Sequence, residues 1–222
     1  MLWLIKINSL TNVIAFFIGV VLYKSFPKEI KYVFYFVVFG FLTELYSKIQ
    51  IYYIMRNTMP IGHFYFPIAI FIAVMFYKRI LTGFMHPAWI ITVIVLYEIY
   101  CVINPIFVQG LFQYPSITGS LGSLILFLLS VAFFIKVMVE ARIEKLAGEP
   151  LIWINSAFLI YYTVGFFYHS LYNLRTTASM EVAYFALYLF SFLNLIFYLL
   201  ITVGFILVYK VKKNKNRVIK ND

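Results

Sequence analysis

Few side chains in this 222-residue chain could do chemistry, and most of those that could lie inside long apolar runs. Glu44 precedes Lys48 by one helical turn, an order that favours an ion pair within one helix. This pair either neutralises itself or forms a proton or ligand site. Glu98 has no basic residue at helical spacing. It is therefore either a neutral carboxyl group bonded to a tyrosine or a functional carboxylate facing a cavity.

The three histidines do not predict a metal centre. His63 and His169 are expected at one side of a membrane and His86 at the other, about 30 Å away, so they cannot share one zinc ion. A retinal protein would need a lysine in the last apolar run, Val182–Tyr209, and none occurs there. Hydrolase, redox and phosphate-binding sequence patterns are absent as well. We therefore expect no metal, no cofactor and no catalysis.

Apolar runs account for nearly the whole chain, and 64% of its residues are hydrophobic. A helix that crosses a bilayer needs roughly 20 mostly apolar residues. Seven segments approach or meet this length: Leu10–Tyr23, Tyr32–Ile54, Ile61–Tyr77, Ala88–Phe107, Ile117–Val139, Leu151–Tyr172 and Val182–Tyr209. They predict an all-α membrane protein, a seven-transmembrane-helix bundle at 1–209 followed by a basic tail at 210–222.

The distribution of basic residues predicts the orientation of this bundle. Seven spans place the two termini on opposite sides. With the C-terminus inside, fourteen Lys and Arg residues lie on the inner side and three on the outer side, with Lys48 inside a span. Because basic loops stay cytoplasmic, we expect the N-terminus outside and the C-terminus in the cytoplasm, in the plasma (inner) membrane. The net charge of +10 then needs no nucleic-acid partner. The tail either anchors to anionic lipid or docks a protein partner.

Polar residues form stripes along spans two, six and seven, over Gly40–Gln50, Asn155–Asn173 and Tyr184–Thr202. Such stripes either join helices or line a pocket. Because most strongly polar residues fall in the predicted outer half, we expect an aromatic-lined pocket open to the outside, between spans two, three, six and seven. The candidate ligand-binding residues are Glu44, Lys48, His63, Glu98, Asn104, Tyr162, His169 and Asn194.

Several short segments resemble a known family. They are Asn57 followed by His63-Phe64-Tyr65-Phe66-Pro67-Ile68, then Ile103-Asn104-Pro105-Ile106-Phe107-Val108-Gln109, Trp153-Ile154-Asn155 and Leu193-Asn194. Together they resemble a poorly characterised family of bacterial seven-helix membrane proteins of about this length. The resemblance implies the seven-helix fold and a likeness to stand-alone membrane sensor regions of bacterial signalling proteins. Where that family often has Glu after its Pro-Ile, this chain has Ala69.

Three functions are compatible with this sequence. The first is a membrane sensor or signalling-partner subunit, in which a small molecule or lipid changes the packing around a third helix bent at Pro67. Its inner loops and tail would pass that change to a protein partner. The second is a transporter or channel for a small solute, and the third is a structural or assembly subunit of a membrane complex. Transport would need a continuous polar path to the inner face. Because the inner half of the predicted bundle is mostly apolar, sensing is favoured over transport.

Overall fold

The computed structural model describes residues 2–54, 57–140, 146–172 and 179–221, with side chains over 10–53, 57–140, 146–172 and 179–215. This described part is helical and contains no strand. Its helices are α1 (Leu2–Leu22), α2 (Lys28–Ile49), α3 (Met59–Ile80), α4 (Pro87–Ile103), α5 (Ser116–Glu140), α6 (Pro150–Ser170) and α7 (Met180–Asn221). Helices α2 and α4 each end in a π-helical turn, Gln50–Ile54 and Asn104–Val108.

The expected all-helical class is confirmed, and the long apolar helices indicate a multi-pass membrane protein. Six helices of the described chain are long and apolar enough to cross a bilayer. The stretch Leu10–Ser25, which covers the part of α1 with described side chains and the turn after it, is apolar but shorter. The seventh span and the orientation of the bundle stay predictions. Of the residues used for those predictions, Arg56, Arg142, Lys145, Asn173 and Arg175 lie outside the described ranges.

Prolines mark where several helices begin. Pro27 caps α2, while Pro87 and Pro150 are the first residues of α4 and α6. A helix leaves its first N–H groups without partners, so the missing N–H of proline costs nothing there. Pro67 is different because it lies inside α3, which continues on both sides of it. Helix α7 runs through Tyr209 to Asn221 and so includes most of the segment predicted as the basic tail, 210–222.

Six helices form a closed ring, and α4 packs outside it. Around the ring, α1 contacts α2, α2 contacts α3, α3 contacts α5, α5 contacts α6, α6 contacts α7, and α7 returns to α1. Glycine permits close approach in several of these contacts, among them α3 with α5 and α6 with α7. A Cβ on Gly122 of α5 would lie 2.8 Å from Ile70 of α3, and one on Gly204 of α7 would lie 2.5 Å from Ile154 of α6.

The two ends of the ring are named by the connections that lie there. The end with residues 109–115 is called the loop end, and the end with residues 23–27 and 81–86 is called the basic end.

A cluster of buried aromatic rings fills the middle of the ring. We call it the aromatic plug, and its members are Phe36 of α2, Phe76 and Tyr77 of α3, Phe158 of α6 and Phe197 of α7. Phe158 lies at its centre, because its ring centroid is 5.3–5.9 Å from those of the other four. Edge-to-face and offset ring pairs of this kind contribute beyond their buried area.

A buried hydrogen-bond network joins three helices beside the plug. The Tyr77 hydroxyl donates to Oδ1 of Asn155 at 2.8 Å and lies 2.6 Å from the hydroxyl of Ser130. The Asn155 amide donates in turn to the backbone carbonyl of Ser130 at 3.1 Å. Removing one member of such a network leaves a buried polar atom unpaired, at a cost of about 1–3 kcal/mol. The network therefore fixes α3, α5 and α6 relative to one another.

Candidate functional site

A cavity of about 480 Å³ lies inside the ring toward the loop end. It is bounded by α1, α2, α3, α6 and α7, and Tyr114 of the α4–α5 connection also lines it. Helix α2 and the π-helical turn that follows it supply the largest share of its wall, with Gly40, Thr43, Glu44, Ser47, Lys48 and Ile51. We call it the central cavity. Small-molecule sites in proteins typically occupy about 300–1,000 Å³, so its volume suits a small ligand or a lipid headgroup.

The central cavity contains an ion pair supported by a buried amide. Oε1 of Glu44 lies 2.8 Å from Nζ of Lys48, and Oε2 accepts a hydrogen bond from Nδ2 of Asn12 at 3.0 Å. The Lys48 and Glu44 side chains are 49% and 32% exposed, so both reach the cavity space. Asn12 is only 2% exposed, and within the described chain its Oδ1 has no hydrogen-bond partner. A carboxylate, an ammonium group and an amide acceptor therefore lie together.

Aromatic side chains form much of the remaining wall. Tyr65 and Phe66 come from α3, Tyr161 from α6 and Tyr198 from α7, with Asn194 one turn before Tyr198. Tyrosine rings present a negative face that attracts organic cations and a hydroxyl group that can bind polar atoms. The cavity therefore combines groups that suit a charged or polar head with rings that suit its carbon framework.

Two further hollows adjoin the central cavity. One, of about 600 Å³, lies at the loop end and shares Thr58 and Tyr114 with it. The other, of about 440 Å³, lies between α2 and α3 and shares Thr43, Ile61 and Tyr65 with it. We call this second hollow the side groove. Its outer rim carries Leu42, Tyr46, Phe64 and Ile68, which are exposed on the outside of the bundle. Each of these hollows therefore shares part of its wall with the central cavity, one at the loop end and one between α2 and α3.

The aromatic plug closes the opposite side of the central cavity. On α2, Phe36 of the plug lies one turn before Gly40 of the cavity wall, and on α6, Phe158 lies just before Tyr161. Tyr162, a predicted ligand-binding residue, belongs to this floor, since its ring stacks on Phe158 at 5.8 Å. The cavity therefore ends at the plug, and a layer of packed rings separates it from the basic end.

Three of the predicted ligand-binding residues hold the α4–α5 connection. Nε2 of His63 lies 3.1 Å from the backbone carbonyl of Gln113. Nδ1 of His169 lies 2.6 Å from the hydroxyl of Tyr114. Asn104 is fully buried and donates to Oε1 of Gln109 at 3.3 Å. These three side chains position residues 109–115 over the loop end, and none of them is part of the central cavity wall.

The remaining predictions divide between the cavity and the outside of the ring. Glu44, Lys48 and Asn194 line the central cavity together. Glu98 lies on α4, outside the ring and away from that cavity, and its Oε1 is buried without a hydrogen-bond partner in the described part of the chain. Asn12 and Tyr114 also line the central cavity, although neither is among the ligand-binding residues predicted from the sequence. An asparagine within an apolar run could have indicated Asn12, because polar residues in spans face the interior of a bundle.

Comparison with known proteins adds nothing to this geometry. No protein-family model, no curated protein and no solved structure matches the chain. The family resemblance carried by the short segments above therefore stays a prediction, and the central cavity is interpreted from its own residues. Among the described residues, no group of three or more His, Cys, Asp or Glu side chains could hold a metal ion.

The anchoring of the α4–α5 connection can be tested with Tyr114→Phe, which removes the hydroxyl next to His169. Loss of a hydrogen bond worth about 1 kcal/mol should make local opening roughly fivefold more frequent. We expect amide hydrogen exchange at residues 109–115, measured by mass spectrometry, to quicken by about that factor. Tyr35→Phe removes the hydroxyl pair with Tyr23 at the basic end and should leave the same peptide unchanged. Equal exchange in Tyr114→Phe and the parent would contradict the anchoring.

Proposed function

We propose that this chain is a seven-span sensor or signalling-partner subunit of the plasma (inner) membrane. A small molecule or lipid binds in the central cavity, which faces outward, and its binding changes the packing of the surrounding helices. A protein partner on the cytoplasmic side reads that change. The protein carries out no reaction itself.

One observation carries this proposal: a charged cavity that is open at one end and closed by packed rings at the other. Charged side chains in a membrane protein are costly, and they usually mark binding sites or transport pathways. Glu44 and Lys48 pair with each other and still reach the cavity space. The pair therefore supplies both signs of charge to a ligand, where a purely structural pair would be enclosed by side chains.

The aromatic plug favours binding over transport. A transporter or channel needs a polar path across the membrane in at least one conformation. Below the cavity the path meets Phe36, Phe158 and Phe197, each at most 2% exposed. The Tyr77 network beside them is internally hydrogen-bonded. Opening a path would require several of these rings to leave the core together, so transport is the second candidate.

Helix α7 supports the proposed relay to a partner. Asn194 and Tyr198 of this helix line the cavity, and Phe197 belongs to the plug. The same helix continues beyond the basic end, where Lys210, Lys212, Lys213 and Lys215 are exposed. Because an α-helix transmits displacement along its axis, a ligand that shifts Tyr198 would also move this basic surface. The surface suits an acidic partner or anionic lipid.

The proposed orientation can be tested by cysteine labelling, since Cys101 is the only cysteine in the sequence. In a Cys101→Ala background, Gln113→Cys places a thiol at the loop end and Thr82→Cys places one at the basic end. A membrane-impermeant maleimide should label Gln113→Cys in intact bacterial cells and Thr82→Cys only after permeabilisation. Labelling in the reverse order would refute the outward-facing cavity. Equal labelling of both variants after permeabilisation controls for expression.

Ligand binding in the cavity can be tested with Ser47→Trp, which fills the cavity from α2 without removing a charge. We would measure thermal unfolding of the detergent-purified protein against amines, amino acids and phospholipids. A ligand at 100 times its Kd stabilises by about 2.7 kcal/mol, so we expect a shift of several degrees in the parent for at least one class. Ser47→Trp should abolish the shift.

The matched control is Thr92→Trp, which makes a similar substitution on the exposed outer face of α4. It should keep the ligand response of the parent. A response retained in Ser47→Trp would place the ligand elsewhere. No response to any compound in the parent would favour an assembly role instead.

A further inference from the structure

We infer that the central cavity binds the headgroup of a zwitterionic phospholipid with a primary amine, and that an acyl chain of this lipid lies in the side groove. The inference rests on the proposed function and deepens it by naming the ligand class. Three features of the described residues carry it: the order of charges in the cavity, the acceptor on Asn12 and the apolar rim of the side groove.

The charges in the cavity match a zwitterion. Nζ of Lys48 lies 2.8 Å from Oε1 of Glu44, so a negative and a positive charge lie side by side in the cavity wall. A phosphoethanolamine headgroup carries an ammonium and a phosphate on a short linker. It could place its ammonium against Glu44 and its phosphate against Lys48 and thereby extend the existing ion pair into a group of four alternating charges. An anionic headgroup would pair with Lys48 and repel Glu44, so the pair selects against it.

The side chain of Asn12 favours a headgroup that carries N–H donors. Its Nδ2 donates to Glu44, whereas its buried Oδ1 has no partner in the described part of the protein. An acceptor of this kind is costly unless a donor reaches it. A primary ammonium offers three N–H groups and could bond to Glu44 and to Asn12 together. A trimethylated ammonium has no N–H group, so it would leave Asn12 Oδ1 unsatisfied.

The side groove favours a lipid over a soluble molecule. It adjoins the cavity at Thr43, Ile61 and Tyr65, and its rim residues Leu42 and Phe64 are 52% and 66% exposed on the outer surface of the bundle. In a bilayer this surface meets acyl chains. A lipid could therefore enter from the side with its head in the cavity and one chain in the groove. A water-soluble zwitterion has no acyl chain that could occupy the apolar groove.

Native mass spectrometry of the purified full-length protein tests this inference directly. The protein would be mixed with equal amounts of phosphatidylethanolamine, phosphatidylglycerol and phosphatidylcholine. We expect one phosphatidylethanolamine to be retained preferentially by the parent. Glu44→Gln and Lys48→Gln should each reduce its occupancy about tenfold, a change of about 1.4 kcal/mol. Lys48→Arg should restore it, because the positive charge is kept.

Matched controls and a selectivity variant complete this experiment. Glu29→Gln and Lys28→Gln make the same charge changes at the basic end, and they should retain the lipid like the parent. Asn12→Leu removes the acceptor, so the preference for phosphatidylethanolamine over phosphatidylcholine should disappear. Equal retention of all three lipids by the parent, or unchanged retention in Glu44→Gln and Lys48→Gln, would overturn the inference.

Soluble phosphoethanolamine, which has the headgroup but no acyl chain, tests the headgroup site separately from the acyl-chain site. The same measurements also distinguish failure of the lipid inference from failure of the proposed function. If phosphoethanolamine stabilises the parent as strongly as the whole lipid, the acyl chain in the side groove is refuted and the headgroup site is supported. If only other compounds bind and Ser47→Trp abolishes their effect, the lipid inference fails and the proposed function stands. If nothing binds in a manner sensitive to Ser47→Trp, both fail.

Discussion

The carboxylate of Glu44 places the strongest constraint on this structure. Hydrocarbon offers no hydrogen-bond partners, so a charge within the bundle must be neutralised and solvated by the protein. Lys48 meets one oxygen at 2.8 Å, and Asn12 meets the other at 3.0 Å from α1. This second contact joins α1 to α2 across the cavity wall, next to where α1 and α7 close the ring. The ion pair thus helps to close the ring while its charges still reach the space inside.

The buried polar groups find their partners in different ways in the two halves of the ring. Toward the basic end, Tyr77, Ser130 and Asn155 satisfy one another beside the aromatic plug. Toward the loop end, the polar groups line open cavities, and His63 and His169 hold a connecting segment over them. A closed half with internally satisfied groups is rigid, whereas an open half with accessible charges can respond to a ligand. This asymmetry is the physical basis of the proposed sensing role.

Much of the helical framework could be predicted from the sequence, because apolar length and proline position depend on local residues. The polar stripes along spans two, six and seven predict a pocket between these helices and span three, and residues of α2, α3, α6 and α7 do line the central cavity together with Asn12 of α1. An asparagine within an apolar run indicates that Asn12 faces the interior of the bundle, but its partner Glu44 could not be predicted, because the packing of α1 against α2 is a tertiary contact. His63, Asn104 and His169 have the residue types of a ligand site, but their partners in 109–115 depend on how a connection folds back.

The most direct test of this account is an experimental structure of the full chain in a lipid nanodisc that contains phosphatidylethanolamine. The account predicts density for a headgroup between Glu44, Lys48 and Asn12, with a chain continuing between α2 and α3 and the aromatic plug closed below it. A structure in which Glu44 faces the surrounding lipid, or in which side chains fill the central cavity, would contradict the account.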